Sequence, residues 1–431
     1  MRWDSLTFGT DVLYKNGQTY YFSRVMRNRT LTALLVAELI STSGSAMTFL
    51  ALPWFVLVTT GSASRMSIVL AAEILPMALF GIPSGSVVAR FGSRKTMLFS
   101  DACRAPLIAL IPLLHWTGHL GFAGLIAIVF VFGLFTAPYL TSQRTIIPEL
   151  FADDETAVAK ASGLLGGANQ LPLVIGPALA GVLISWFGTP PLLIVDAVTF
   201  LFAFVVVFTL VRAGSPVAPD DESKGVLAGV RYLVRDRLLG PMTLTFIVLD
   251  GGANALTVAV PLLAFSRYHR NPHIAGWVFT AFGIGAVIGS VLVVKLLDRV
   301  KPLTLSSAAM ALVTLPLWAI AFDVPWLVVC AALAVTGLLV PFVNAPLMGI
   351  ISTRPPLSLR QKVMTAVMTA SGVGSPLGRL VVGPVYSWDG NAAVWIVLAG
   401  AMTFGAVLFI GAALRPSARD AANVVPVAPV T

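Results

Sequence analysis

The sequence predicts an all-α polytopic membrane protein. Three features predict it: long apolar runs at regular intervals, a charged fraction of only 11%, and cations concentrated on alternate connectors. A soluble domain carries about 25% charged residues, so composition outweighs the length of 431 residues, which alone would suggest two or three soluble domains.

A helix needs about 20 apolar residues to cross the hydrocarbon. Twelve spans meet that requirement: 31–58, 66–89, 96–115, 121–141, 161–186, 191–211, 241–264, 274–297, 303–322, 325–349, 363–387 and 392–413. Residues 1–30 form a polar amino tail ending "SRVMRNRT", with no apolar core of the signal-peptide kind. Spans 31–212 form a first six-helix bundle and spans 241–413 a second, giving two pseudo-symmetric halves. Residues 213–240 are a linker that opens "AGSPVAPDDESKG" and continues as an amphipathic stretch with Val226, Leu227, Val230, Leu233, Val234 and Leu238 at helical spacing. That stretch lies either on the membrane face or on the protein's own loops. Residues 414–431 are a carboxyl tail.

The charge pattern sets orientation. Of 28 Lys and Arg, 23 fall on the tails and even-numbered connectors, while Arg65, Arg267 and Arg270 fall on the other side. The positive-inside rule then puts both termini in the cytoplasm of a cell with the chain in its plasma or inner membrane. It also accounts for the net charge of +9 without nucleic acid, and the cations can touch anionic lipid. Cys103 and Cys330 both lie in apolar runs, which argues against a disulfide framework.

The connector "GSVVARFGSRKT" raises a family resemblance. Gly85, Arg90 and Gly92, with Arg94 as a further cation, match the G-x-L-A-D-R-x-G-R-K signature of the major facilitator superfamily, whose acid is replaced here by Ala89. Asp101 and Arg104 in "SDACRAPL" resemble an acid–x–x–Arg pair of its exporters, and Gly176, Pro177 and Gly181 in "LPLVIGPALAG" resemble the antiporter motif of span 5. The chain is therefore similar to the twelve-span drug:proton antiporters. The buried Arg of that group's span 4 is absent. Paired strings in spans 2 and 8 and in spans 5 and 11 fit a parallel repeat.

That resemblance implies a map: spans 1, 4, 7 and 10 line a central cavity, and spans 2, 5, 8 and 11 join the halves. Glu38 and Asp250 then face the cavity as proton-coupling candidates, or as structural or substrate-contact residues. Trp54, Met47, Phe135, Tyr139 and Phe342 are candidate wall residues. Asp101 and Arg104, i and i+3 on one helix, neutralise each other, and Asp196 reads as a packing or capping acid. Glu73 and Arg379 lie about seven and about eight residues inside the outer ends of spans 2 and 11, at matching depths of roughly 10–12 Å. Opposite charges at one depth on touching helices are expected to pair as an interdomain gate, since an unpaired charge there is costly.

Enzymatic readings find little support. No G-x-x-x-x-G-K-[ST] loop is present, no catalytic triad or carboxylate pair clusters at one depth, and no cofactor is expected. The pairs His115/His119 and His269/His273 have zinc-like spacing, but no acid or thiol joins them, so no metal is expected. The chain is expected to act as a monomer that exports lipophilic or amphipathic small molecules in exchange for protons. Proton-coupled uptake of a polar metabolite and lipid or lysolipid flipping are the alternatives.

Overall fold

A computed structural model describes residues 28–151, 154–211, 226–236, 238–297, 299–356 and 359–414. Every regular element among these residues is helical. In chain order they are α1 (Arg29–Thr60), α2 (Ala63–Phe91), α3 (Ser93–Trp116), α4 (Phe122–Phe151), α5 (Glu155–Phe187), α6 (Pro190–Leu210), α7 (Val226–Arg235), α8 (Leu239–Ser266), α9 (Pro272–Leu297), α10 (Pro302–Val313), α11 (Leu315–Ile320), α12 (Trp326–Thr353) and α13 (Arg360–Ala413). Eleven helical stretches are long and apolar enough to cross a membrane. Two differ from the sequence expectation. The span at 303–322 is divided into α10 and α11 around Thr314, just ahead of Pro316. The spans at 363–387 and 392–413 run on as α13, broken only at Asp389 (φ −148°) and Gly390 (φ 68°).

Local chemistry fixes the helix ends. The Asn28 side chain accepts from the N–H of Thr30 (3.0 Å) and Leu31 (3.3 Å) and starts α1. Asp154 accepts from Ala157 (2.9 Å) and starts α5. Gly61, at φ 61°, ends α1 in the left-handed conformation that a side chain disfavours.

Packing separates the two ends of the molecule. With α1–α6 called the first half of the chain and α7–α13 the second, one apolar cluster draws on both, taking Trp54, Met66, Ile108 and Ile184 from α1–α5 together with Val260, Val278, Val382 and Trp395 from α8–α13. At the opposite end, where α1 begins and α13 ends, the core divides. Leu31, Met97, Ile146 and Val207 form one cluster, and Met242, Met310, Leu347 and Phe409 form another. We call this the terminal face and the joined end the far face.

Glycines record the same asymmetry. Across the halves, a Cβ on Gly181 (α5) would stand 2.8 Å from the Pro272 carbonyl, and one on Gly276 (α9) 2.4 Å from the Pro177 carbonyl. A Cβ on Gly383 (α13) would stand 2.5 Å from Ser64 Cα on α2. Nearer the terminal face, a Cβ on Gly81, Gly85, Gly163 or Gly166 would meet no atom within 4 Å. Small residues let helices approach in lipid, where burial gives little drive. Here α2 and α5 use that closeness against the other half only toward the far face.

The amphipathic stretch is shorter than expected. It ends at Arg235, and Leu238 joins the start of α8 instead. Leu233 is buried while Val230 and Val234 are exposed, so these three do not share one protein contact. Linker residues 212–225 and the two tails fall outside the described residues. Asp236 ties α7 to the second half. It accepts from the N–H of Leu239 (2.9 Å) and Leu238 (2.8 Å) and pairs with Arg354 Nε at 3.0 Å. Burial raises the Asp236 carboxyl pKa, but the Leu239 amide, the Arg354 guanidinium and the Leu238 amide outweigh it and hold the group below the usual carboxylate value. A lowered folded pKa gives stability that is present above about 3.9 and is lost as pH falls through the folded value. Asp236→Asn should therefore lower the thermal midpoint at neutral pH, and the gap from wild type should close as the pH is taken below about 4. Melting curves of both proteins across that range check this.

Candidate functional site

Close backbone packing of α8 on the first arm of α13 sets the centre of the second half. A Cβ on Gly374 would lie 2.2 Å from the Ile247 carbonyl, and one on Gly378 1.9 Å from the Gly251 carbonyl. Along this seam Ser375 donates to Asp250 Oδ2, and Asn254 Nδ2 donates to Ser375 Oγ (3.0 Å) and to the Asp250 carbonyl (3.0 Å). Asn254 Oδ1 accepts from Arg379 Nε at 3.3 Å. Arg379 Nη1 then reaches the other half, 2.8 Å from the Leu70 carbonyl and 3.1 Å from Glu73 Oε2. Polar groups thus run unbroken from Asp250 to Glu73. Arg379 is only 8% exposed, so its charge is met by the protein and not by water.

The first half holds a second group of polar residues. Glu38 on α1 is 1% exposed and accepts from Tyr139 Oη (2.9 Å) and from Gln143 Nε2 on α4. Gln143 also donates to Asn169 Oδ1 on α5 (3.3 Å), which Thr42 reaches from α1 at 3.2 Å. Expected on the cavity wall, Glu38 instead lies beneath these neighbours, because one carboxylate can gather donors from α4. On α3, Arg104 pairs with Asp101, and its guanidinium is held between the rings of Tyr139 (3.7 Å) and Phe200 (4.4 Å). Tyr139 is therefore packed around Arg104 and lines no open wall. Trp54 is likewise buried, edge-on to Phe265 (5.7 Å) in the joined far-face core.

The connector motif has local roles. Gly92 adopts φ 80° where α2 ends. Exposed Arg90 lies over the Phe91 ring at 5.6 Å, and Arg94 Nη2 donates to the Phe208 carbonyl at 2.6 Å, holding α3 to the end of α6. Gly85 faces open space. Gly176 packs on α1, where a Cβ would stand 2.5 Å from Ala46 Cβ, and Pro177 and Gly181 meet α9. Glu149 on α4 was not singled out from sequence. Its carboxylate accepts from Ser93 N–H (3.1 Å) and Ser93 Oγ (2.6 Å), capping the start of α3. Tyr139, Gln143, Asn169, Asn254 and Ser375 were also missed as polar partners. Counting uncharged amides and hydroxyls inside the spans, as well as ionisable groups, would have found them.

Over residues 23–430 the chain matches the family described as transmembrane secretion effector. The Multidrug efflux pump Tap of Mycobacterium tuberculosis is 27% identical over 378 residues, covering 85% of this chain and 89% of that protein. The Tap pump of Mycolicibacterium fortuitum is 26% identical over 380 residues, covering 85% and 92%. Among solved structures, nucleoside transporter NupG superposes with a TM-score of 0.73 at 13% identity, covering 90% of this chain and 99% of that one. A bacterial homologue of the human lysosomal transporter Spinster, inward-facing and unoccupied, gives 0.69 at 12% identity, covering 89% and 95%. At such identities these structures speak to fold alone.

The contact between the halves predicts a coupled pair. Arg379→Met should destabilise the protein more than Glu73→Gln, because Arg379 is the more buried and also holds Leu70 and Asn254. The double variant should recover a coupling energy of about 0.5–3 kcal/mol, which a double-mutant cycle on unfolding in detergent measures.

Proposed function

This chain belongs to the transmembrane secretion effector family, and from that premise we propose that it exports lipophilic or amphipathic drug-type small molecules by proton antiport with alternating access. It is an integral membrane transporter of the major facilitator type. The drug-type substrate rests on the relatives named multidrug efflux pumps. In this reading Asp389 and Gly390 divide α13 into two passes, which makes twelve spans in two six-helix halves with both termini cytoplasmic.

The observation that carries the reading is the divided core. The halves share one apolar cluster at the far face and keep separate ones at the terminal face. That is the packing expected of a carrier closed outward and open inward, ready to load from the cytoplasm. Glu73–Arg379 then acts as the outer gate, intact in this state and broken when the far face opens. Asp250 is the leading proton carrier. It is partly exposed and linked through Ser375 and Asn254 to the gate Arg379, so a change in its charge is felt at the gate. Glu38, buried under Gln143, is the corresponding acid of the first half.

Proton-coupled uptake of a polar metabolite is the second reading. It draws support from the Gln143–Asn169–Thr42 group, whose amides suit a hydrogen-bonding solute.

One experiment separates the two. Cells expressing the protein should accumulate less ethidium than control cells, and a protonophore should abolish the difference. Asp250→Asn should still bind ethidium but lose proton-driven export, because an amide cannot cycle a proton. Unchanged ethidium accumulation alongside proton-driven uptake of a polar solute would favour the second reading.

A further inference from the structure

We propose that Asp196 on α6 is a second acceptor for the coupling cation, served by a partly open chamber that the Glu73–Arg379 pair also lines. The proposal rests on the exporter reading and adds a site to it. The chamber has a volume of about 160 Å³, and its lining includes Ser45, Thr48, Asp196, Arg104, Glu73 and Arg379. A polar cavity holds water once it offers about 10–15 Å³ per molecule and several polar partners. This one has room for several waters, and charged and hydroxyl groups share its walls with apolar side chains such as Phe49 and Leu52.

Asp196 is 0% exposed. Its Oδ1 accepts from Thr199 Oγ1 (3.3 Å) and Ser45 Oγ (3.5 Å), while its buried Oδ2 makes no hydrogen bond of ordinary geometry and the Thr48 hydroxyl is its neighbour. A helix-capping acid would take backbone N–H donors, and among the described residues none donates to the Asp196 carboxylate. The carboxyl sits against the bare backbone of α1: a Cβ on Gly44 would stand 2.6 Å from Asp196 Oδ1.

The surrounding charges leave Asp196 in surplus. From α3, Arg104 is already paired with Asp101 and held between aromatic rings from α4 and α6. Also in the chamber lining, Glu73 and Arg379 neutralise each other. From α1 come only the hydroxyls of Ser45 and Thr48, and Glu38 is engaged by Tyr139 and Gln143. An isolated carboxylate away from bulk water costs several kcal/mol. A monovalent cation removes that cost. The buried Oδ2 suits a proton: a hydronium in the chamber gives up its proton through the lining hydroxyls of Ser45 and Thr48 to the carboxylate, leaving water and a neutral carboxylic acid. Sodium between the carboxylate and the chamber hydroxyls is the other source of the same charge.

Infrared difference spectra of the protein in nanodiscs, taken on a pH step, test the site without any substrate. Wild type should show a protonated-carboxyl C=O band that Asp196→Asn removes and Asp250→Asn keeps. Ser45→Ala, which removes one hydroxyl from Oδ1, should shift the frequency of that band even if Asp196→Asn proves unstable. Loss of the band on adding NaCl at fixed pH supports the site with sodium as its occupant. An Asp196→Asn spectrum that superimposes on wild type, or a band unmoved in Ser45→Ala, overturns the proposal. A protein that shows the Asp196 band but exports no ethidium refutes the exporter reading and leaves the cation site standing.

Discussion

Arg379 must find a negative partner inside an apolar protein, and its partner is on the other half. A guanidinium held away from water costs several kcal/mol unless it is paired and its N–H groups are bonded. Arg379 meets the cost with Glu73, the Leu70 carbonyl and Asn254, and so commits α13 to lie against α2 at one depth. Ser64 and Ser387 meet above it, 3.1 Å apart, and Gly383 lets the two helices touch. Beyond that contact, toward the terminal face, the cores of the halves separate.

The same constraint accounts for the polar groups that sequence alone scattered along the chain. Arg104 is bound by Asp101 and two rings, Glu38 by a hydroxyl and an amide, and Asp250 by a serine. Each arrangement uses neighbours from other helices, so the charges double as registers that hold one helix against another. In the proton antiport proposed above, such registers would also serve as switches. Adding a proton to one acid removes the charge that holds its partner, and the packing that depended on it is released. The loss of the family acid at Ala89 fits this division of labour. The start of α3 is held by Glu149 and Arg94 instead, and the cross-half charge pair lies toward the far face.

How much was legible follows from which forces act locally. Spanning helices follow from apolar length, so their number and order were nearly readable. Only the break at Thr314 and the continuity through Asp389 depended on detail. Glu73 and Arg379 could be matched from depth alone, because helix rise converts residue number into distance. Of the two roles open to Asp196, packing and capping, residue number alone could not choose. Its burial is lateral, made by Gly44 on α1 and Arg104 on α3, and lateral packing leaves no trace in residue number. Gln143, Asn169, Asn254 and Ser375 carry no charge and stayed hidden among small polar residues that helices tolerate.

The central claim is that the far-face contact must open for transport. Cysteines at Ser64 and Ser387, whose hydroxyls lie 3.1 Å apart, test it in a background where Cys103 and Cys330 are replaced by serine. Oxidation should join α2 to α13, stop ethidium export, and allow it to resume on reduction. Cross-linked protein that exports at the rate of the reduced form would contradict the account.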